Sequence, residues 1–441
     1  MVDGNSWLAT VKKLRKSLKA LDRTYKDGRD QAILSVWKTL RKAPSTLQQL
    51  YGEWPESKLL ELAESAMAKL NKPAFGFELS SGDPNDVFKS LAALLRALEM
   101  EHAAFDHASL PTDPKSWIVK LDGERFYLVP VGRVRWEPEP PPDKDFRPFL
   151  QRGLLSFRVI PLSIDGAKVT LSRVNRLVNW TVPRFFGGAL LPDVEFSRDN
   201  SQPGTFIITK VKCEKRSETI LYALKETFLS HCVATVFPEL TIDEAACAQI
   251  VNLLKTKPWE EEPDGTARKP QTPALVVAGS WHRSVKGGHA NIAPVFDGDG
   301  NPLFEHHKRM KFKPKPNPKS KDRLVERIVP GQELHVAVLD RCLVAVAICL
   351  DFADLKHQGK IYNGLDVDLV LVPSCGNDKT MRGHLDTARS FEIQRKSRAF
   401  VVQQAYPPFP EGIGFVLCPK EEVPETVGRT VKAASWTCAS T

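Results

Sequence analysis

Glu239, Lys308 and Cys349 are the residues whose types and surroundings could together carry out acyl transfer. Cys349 ends the apolar run LVAVAIC, so its thiol is expected at an exposed strand terminus, where a base and a neighbouring cation would favour the nucleophilic thiolate. Glu239 follows the apolar run CVATVFP, and a carboxylate held among apolar groups has its pKa raised toward the range of a general base. Lys308 ends the segment LFEHHK and could hold positive charge where an oxyanion develops. Each feature alone has a bland reading: a solvated turn glutamate, a surface lysine, a strand cysteine packed as a small hydrophobe. Only the combination points to chemistry.

The elements that would position these residues can be read from periodicity. From Thr205 onward, strands and amphipathic helices alternate: FIITKV, a helix over residues 217–229, then the strand CVATVF. Past Glu239, Thr241 and Glu244 form a capping box for the next helix. The strand ALVVAGS leads to NIAPVF and then to Asp297-Gly298-Asp299-Gly300, a hairpin turn whose return strand carries Lys308.

The N-terminal part reads differently. Trp7, Leu8, Val11, Leu14, Leu18 and Leu21 recur at helical spacing after Asn5 and Ser6, either of which could cap the first turn, and further helices are predicted over 32–40, 58–70 and 86–100. WIVKL, Asp122-Gly123 and RFYLVPV then form a hairpin signal, and EPEPPPD at 137–143 reads as a linker because its prolines sustain neither helix nor central strand. These patterns predict a smaller, mainly helical domain over 1–110, a hairpin and proline-rich linker over 111–150, and an α/β domain over 151–441. FRVIPLSI within the last reads as a strand, while VTLSRVNRLVNWTVPRFF is left open between helix and insertion.

Composition narrows the classes. With 42% hydrophobic and 26% charged residues, the chain has globular composition. No apolar run approaches the roughly 18 residues a membrane helix needs. The opening MVDGNSWLATVKKL has no signal-peptide stretch, so a cytoplasmic location is expected. The eight cysteines form no CxxC pair or Cys/His cluster, and no GxxxxGK phosphate loop occurs, so reduced thiols with neither metal nor organic cofactor are expected. The net charge of +9 comes from 62 basic against 53 acidic residues, too small an excess to argue a nucleic-acid partner by itself. The basic segment HHKRMKFKPKPNPKSKDR could lie along phosphates, but a solvated loop is the favoured reading, since no recognised nucleic-acid-binding motif occurs and few aromatics interleave its charges.

The order of these motifs resembles the nitrilase superfamily of carbon-nitrogen hydrolases. That family reads Pro-Glu after an early strand, an Asn before a D-x-D-G turn, a Lys eight residues beyond that turn's glycine, a Glu ahead of Pro-Gly, and a strand ending I-C-x-D. Here these are Pro238-Glu239, Asn291, Asp297 to Gly300, Lys308, Glu326 ahead of Pro330-Gly331, and Ile348-Cys349-Leu350-Asp351. The strand ending Pro373-Ser374, the helix text with Arg389 and Glu392, and the Val401-Val402 strand also match, so the resemblance covers residues 205–417.

It implies a four-layer α-β-β-α sandwich, at least a dimeric assembly, and no cofactor. In its terms Glu239 is the base, Lys308 the oxyanion stabiliser, Cys349 the nucleophile, and Glu326 a second glutamate that positions substrate or assists proton transfer. Asn291, Ser374, Cys375, Gly376 and Asn377 are the substrate-binding candidates. The substrate would be a small amide or nitrile, cleaved through a thioester. Departures remain: the family's C-Y-D-x-R-F-P-E reads CLDFADL, the Tyr two before the lysine is His306, and KFKPKPNPKSKDR is inserted between Lys308 and Glu326. Specificity therefore does not carry over. The competing reading is a nitrilase-like binding or sensing module without catalysis, associated with nucleic acid or serving bacterial phage defence.

Overall fold

The helical periodicity of the N-terminal part is realised as helices Gly4–Lys19, Lys26–Arg41, Ser45–Leu50, Glu56–Leu70 and Pro84–Phe105 in the computed structural model. The model describes residues 4–70, 82–105, 113–134, 136, 140–178, 180, 183–190, 194–259, 271–313, 324–356, 359–405, 414–416 and 433–437. The chain divides into two units, Met1–Leu162 and Ser163–Thr441. In the first, Trp7, Val11, Leu14 and Leu18 share one core with Ile33, Leu40, Leu59, Leu91 and Leu98, as residues three and four apart on a helix must if one face is buried. The first helix starts at Gly4, so Asn5 and Ser6 lie inside it rather than capping it.

Strands Ile118–Leu121 and Glu124–Val129 form the hairpin, with Asp122 and Gly123 both at positive φ, 53° and 79°, as a primed turn requires. Two sequence readings are corrected here. The strand Arg158–Pro161, expected to open the C-terminal domain, pairs antiparallel with Glu124–Val129 and belongs to the first unit. The described end of the proline-rich stretch does not run free as a linker either: the carbonyls of Pro142 and, just beyond the stretch, Asp145 accept the Ser57 and Glu56 N–H groups at 3.0 and 3.1 Å. Prolines lack a donor but keep an acceptor, and these carbonyls satisfy N–H groups that the start of helix Glu56–Leu70 cannot bond internally. The boundary therefore falls near residue 162 instead of 150.

The second unit is built on two sheets, each of seven strands among the described residues. The first runs Trp281–Val285, Gly288–Phe296, Leu275–Val277, Ala234–Val236, Arg184–Gly188, Ala433–Thr437, with Pro302–His307 paired to Gly288–Phe296. The second runs Gly414–Val416, Arg398–Ala405, Leu369–Gly376, Leu343–Val346, Glu333–Val338, Ala167–Arg173, Ser163–Ile164. Its central run, Leu343 to Val346, is buried at every position, because a strand covered on both faces has no reason to alternate.

Phe185 and Phe186 show the layering in two residues. Successive side chains of a strand point to opposite faces. Phe185 meets Phe400 of the second sheet at 5.2 Å between ring centroids, and Phe186 packs with Ile220, Leu224 and Ile250 of helices Arg216–Leu229 and Glu244–Thr256. The segment left open between helix and insertion thus supplies strands Ala167–Arg173 and Arg184–Gly188, one to each sheet. A smaller sheet of Val325–Glu326, Thr205–Lys212 and Glu195–Asp199 completes the unit among the described residues.

Candidate active site

The turn at Asp297 explains why a lysine at this spacing meets Asn291. Asp297 Oδ1 accepts the N–H groups of Asp299 and Asn301, each at 2.9 Å, and Gly300 takes φ 77°, which reverses the chain tightly. The resulting register pairs Ile292 with His307 and lets the Lys308 N–H donate to the Asn291 carbonyl at 2.8 Å. Glu239 arrives from the neighbouring strand. Its N–H donates to the Ser374 carbonyl at 3.3 Å, and Leu240 turns the chain away at φ 62°. The cap of the following helix is Asp243, whose Oδ1 accepts from the Ala246 N–H at 2.9 Å; the expected Thr241 instead donates its hydroxyl to the Pro238 carbonyl.

Cys349 sits at φ 48° and ψ −108°, at the step from strand Leu343–Val346 to the short helix Leu350–Ala353. A side chain in that region is strained and persists only where its surroundings hold it. The Cys349 N–H, bonded to the Pro373 carbonyl at 2.9 Å, is one such restraint. The thiol is not exposed as expected: Cys349 is 3% accessible and lies in the wall of a pocket.

Four side chains converge there. Glu239 Oε1 accepts from Lys308 Nζ at 2.7 Å and Asn291 Nδ2 at 3.0 Å, and its Oε2 from the Cys375 N–H at 3.0 Å. Glu326 Oε2 accepts from Lys308 Nζ at 2.7 Å and the Phe312 N–H at 2.8 Å; its Oε1 takes bonds from His282 Nε2 and Asn291 Nδ2 at 3.0 and 3.2 Å. His282 Nδ1 accepts the Ile208 N–H at 2.7 Å, which leaves the ring proton on Nε2, facing Glu326. Glu239, Lys308 and Glu326 are all at least 98% buried, so they stand together only because each charge is paired and bonded.

The surroundings push the two carboxylates apart. Burial raises Glu239, the nearby Glu326 charge adds to it, and Lys308 only partly offsets both. Burial acts upward on Glu326 too, but the Lys308 ammonium and the His282 N–H outweigh it and hold this carboxyl well below the usual range. Such a split suits Glu239 to accept a proton and Glu326 to stay a fixed anion. Lys308 stays charged: burial opposes its proton, but Glu239 and Glu326 together raise it well above an ordinary lysine. Burial and the Glu239 charge push the Cys349 thiol up to about 12, so sulfur rests protonated and its proton must go to a base. The Cys349 thiol donates to the Cys375 carbonyl at 3.6 Å, and the Cys375 N–H in turn bonds Glu239 Oε2 at 3.0 Å, which brings that carboxylate next to the sulfur.

Two donors remain for a reacting oxygen. An ammonium has three N–H groups, and Lys308 spends two of them on Glu239 and Glu326. Leu350 lines the pocket beside Cys349, and as the first residue of its helix it has an N–H with no intrahelical acceptor. The cavity holds about 160 Å³. That is room for a fragment on the scale of benzene, which occupies an engineered cavity of roughly 150 Å³.

The substrate-binding candidates divide. Cys375, Gly376 and Asn377 line the pocket. Asn291 is fully buried and spent on the two carboxylates, and Ser374, also fully buried, bonds His384 Nε2 at 2.9 Å and Gln403 Oε1 at 3.2 Å behind the wall. The basic segment considered for nucleic acid lies, over 314–323, outside the described residues. Among the described residues no His, Cys, Asp and Glu cluster is arranged to hold a metal, and no helix is long and apolar enough to cross a membrane.

Sequence reasoning missed His282, which carries no motif, and gave no role to Asp351. The latter is fully buried, and its carboxylate accepts the N–H groups of Arg309 and Met310 at 3.0 and 2.8 Å. Asp351 follows Cys349 by two residues and its donors follow Lys308 directly, so it clamps the cysteine turn to the lysine. Asp351→Asn is expected to lower kcat about 10²-fold, the scale of a 1 Å misplacement, with little change in KM. An unchanged kcat would show that Lys308 keeps its place without the clamp.

No family model and no curated protein matches the chain. Solved structures do. An amidase from Nesterenkonia sp. is 14% identical, with a TM-score of 0.39 over 58% of this chain and 89% of that one. A mutant of that amidase in complex with butyramide is 15% identical, with a TM-score of 0.40 over 59% and 93%. A Saccharomyces cerevisiae member of branch 10 of the nitrilase superfamily is 15% identical, with a TM-score of 0.39 over 59% and 90%. These structural neighbours are nitrilase-superfamily proteins.

Proposed function

We propose that this chain is a nitrilase-superfamily hydrolase that cleaves a non-peptide carbon-nitrogen bond, an amide, through a thioester on Cys349. The observation that carries the reading is the convergence of Glu239, Lys308, Glu326 and Cys349 in one pocket, with Lys308 Nζ 2.7 Å from both carboxylates. Glu239 takes the Cys349 proton as sulfur attacks the amide carbon. Negative charge develops on the carbonyl oxygen and is met by the third Lys308 N–H and the Leu350 N–H. Glu239 returns the proton to the departing nitrogen, which leaves as ammonia or an amine. Water then enters, loses its proton to Glu239 and attacks the thioester carbon; the thiol is restored and a carboxylic acid departs. Glu326 remains an anion throughout and keeps Lys308 charged and in place. No step calls on a metal or an organic cofactor.

The same reading carries a four-layer α-β-β-α sandwich, at least a dimeric assembly and a cytoplasmic location. The test is ammonia release from a panel of small primary amides and nitriles by the full-length protein. The wild type is expected to turn over members of the panel, and Cys349→Ala none. Equal release by both proteins would mean that Cys349 is not the nucleophile. Ligand binding without turnover, and without adduct formation, would favour the competing reading of a binding module.

A further inference from the structure

Helix Gly4–Lys19 buries one face and charges the other. Trp7, Val11, Leu14 and Leu18 lie in the core of the first unit, while Lys12, Lys13, Lys16 and Lys19 are exposed. At about 3.6 residues per turn, Lys12, Lys16 and Lys19 fall on one stripe, with Lys13 beside it. The stripe runs about 10 Å, at roughly 1.5 Å per residue. Among the described residues of the helix, the other exposed ones are the small Ser6, Ala9 and Ser17, so nothing bulky stands between the lysines and an approaching surface.

This charge is unbalanced. The helix contains no Asp or Glu, and among the described residues none of the four ammonium groups has an ion-pair or hydrogen-bond partner. Asp22, the first acid after the helix, accepts from the Thr24 N–H and hydroxyl at 3.0 and 2.6 Å. Lys16 stands three or four residues from each of Lys12, Lys13 and Lys19, a spacing at which like charges repel and weaken a helix. Helix Glu56–Leu70 shows the opposite arrangement, with Lys58 bonded to Glu61 at 2.7 Å. The repulsion along helix Gly4–Lys19 costs stability in the free protein and is relieved by a polyanion laid against it.

The shape of the face selects the polyanion. The hydrophobic side of the helix is buried in the core, so it has no apolar face to sink into a bilayer. The described exposed residues include no aromatic, so there is no platform on which unpaired bases could stack. Duplex phosphates need neither. About 10 Å of duplex carries about six phosphates, at one charge per roughly 1.7 Å, and the wide major groove of B-form DNA admits a helix where the narrow groove of A-form RNA does not.

We propose that the exposed face of helix Gly4–Lys19 binds the phosphate backbone of duplex DNA through Lys12, Lys13, Lys16 and Lys19. Contacts of this kind position a protein on the duplex without reading its sequence. The proposal does not depend on the hydrolase reading.

The test is fluorescence anisotropy of the full-length protein with short labelled DNA duplexes across a salt series. Four phosphate contacts predict a slope of log Kobs against log salt of about −3 to −4. Lys12→Gln/Lys16→Gln should lower affinity about tenfold or more near ~50 mM salt and reduce the slope by about two. Glutamine keeps helix propensity and removes repulsion, so this variant should unfold at no lower temperature than wild type. Lys168→Gln/Lys212→Gln removes the same charge from exposed sites of the second unit and should leave affinity and slope close to wild type. The proposal is overturned if the duplex fails to bind at low salt, or if Lys12→Gln/Lys16→Gln binds as wild type does. It is overturned equally if both double variants lose affinity alike, which would make net charge the cause, or if duplex RNA or anionic vesicles are held more tightly than duplex DNA.

Discussion

Lys308→Met is expected to abolish turnover and to destabilise the protein by about 3–5 kcal/mol, the cost of leaving buried charge without its partner. The lysine stands between two carboxylates that are each at most 2% accessible, and it bonds both at 2.7 Å. Methionine fills similar volume without charge, so Glu239 and Glu326 would face each other with Asn291 as their shared donor. The loss should depend on pH with a definite sign. In the variant both carboxyls titrate above their unfolded values, so the destabilisation is fully expressed once pH exceeds those raised values and is relieved as pH falls through them. Denaturant unfolding at about pH 8 and about pH 5 would show the variant approaching wild type only at the lower pH. Wild-type stability at the higher value would mean that the three charges are not assembled as described.

Glu239→Gln separates the base from the fixed anion. The carboxamide keeps the shape but cannot accept a proton, and whichever way it is turned, its NH₂ confronts either the Cys375 N–H or the Lys308 and Asn291 donors. A fall in kcat/KM of roughly 10²–10⁴ is expected, the contribution of a positioned general base. The pH profile is more telling than the size of the loss. In the wild type, kcat/KM should rise with pH as Glu239 ionises, with a midpoint above the ordinary glutamate value because burial raises it. In the variant the rise should move to the alkaline side, where the thiol ionises unaided, though below about 12 because the Glu239 charge that helps to raise it is gone. An unmoved ascending limb would assign the wild-type limb to another group.

Much of the pocket's arrangement was legible in the sequence because it depends on local geometry. The Asp297 turn, with the register shift at Val295 and Phe296 beside it, sets the pairing that puts Lys308 beside Asn291. Glu239 and Cys349 end short apolar runs whose burial on both faces marks interior strands. The second glutamate came only from resemblance, since the strand that carries it is two residues long and leaves no periodicity to read.

What was illegible is tertiary. The hairpin of strands Glu195–Asp199 and Thr205–Lys212 is an ordinary strand pair until its contact with Glu326 and His282 is seen. His282 is a lone histidine on a strand, and Asp351 acts on backbone groups some forty residues away in sequence. Exposure of Cys349 was misjudged because a strand end is usually at a surface, whereas here Cys349 lines a pocket together with Glu239 and with Cys375 near the end of strand Leu369–Gly376. The proline-rich stretch misled for a related reason: its prolines lack donors, but the Pro142 carbonyl, with that of Asp145 just beyond, is used as a cap by helix Glu56–Leu70.

The most direct test of the central claim is intact-protein mass spectrometry during incubation with small amides, followed by peptide mapping. The account predicts a wild-type adduct of acyl mass on Cys349 that accumulates when deacylation is slow, is released by hydroxylamine as a thioester would be, and is absent from Cys349→Ala. Product formation with no Cys349 adduct under rapid quench, or an adduct that maps to Cys375 and persists in Cys349→Ala, would contradict it.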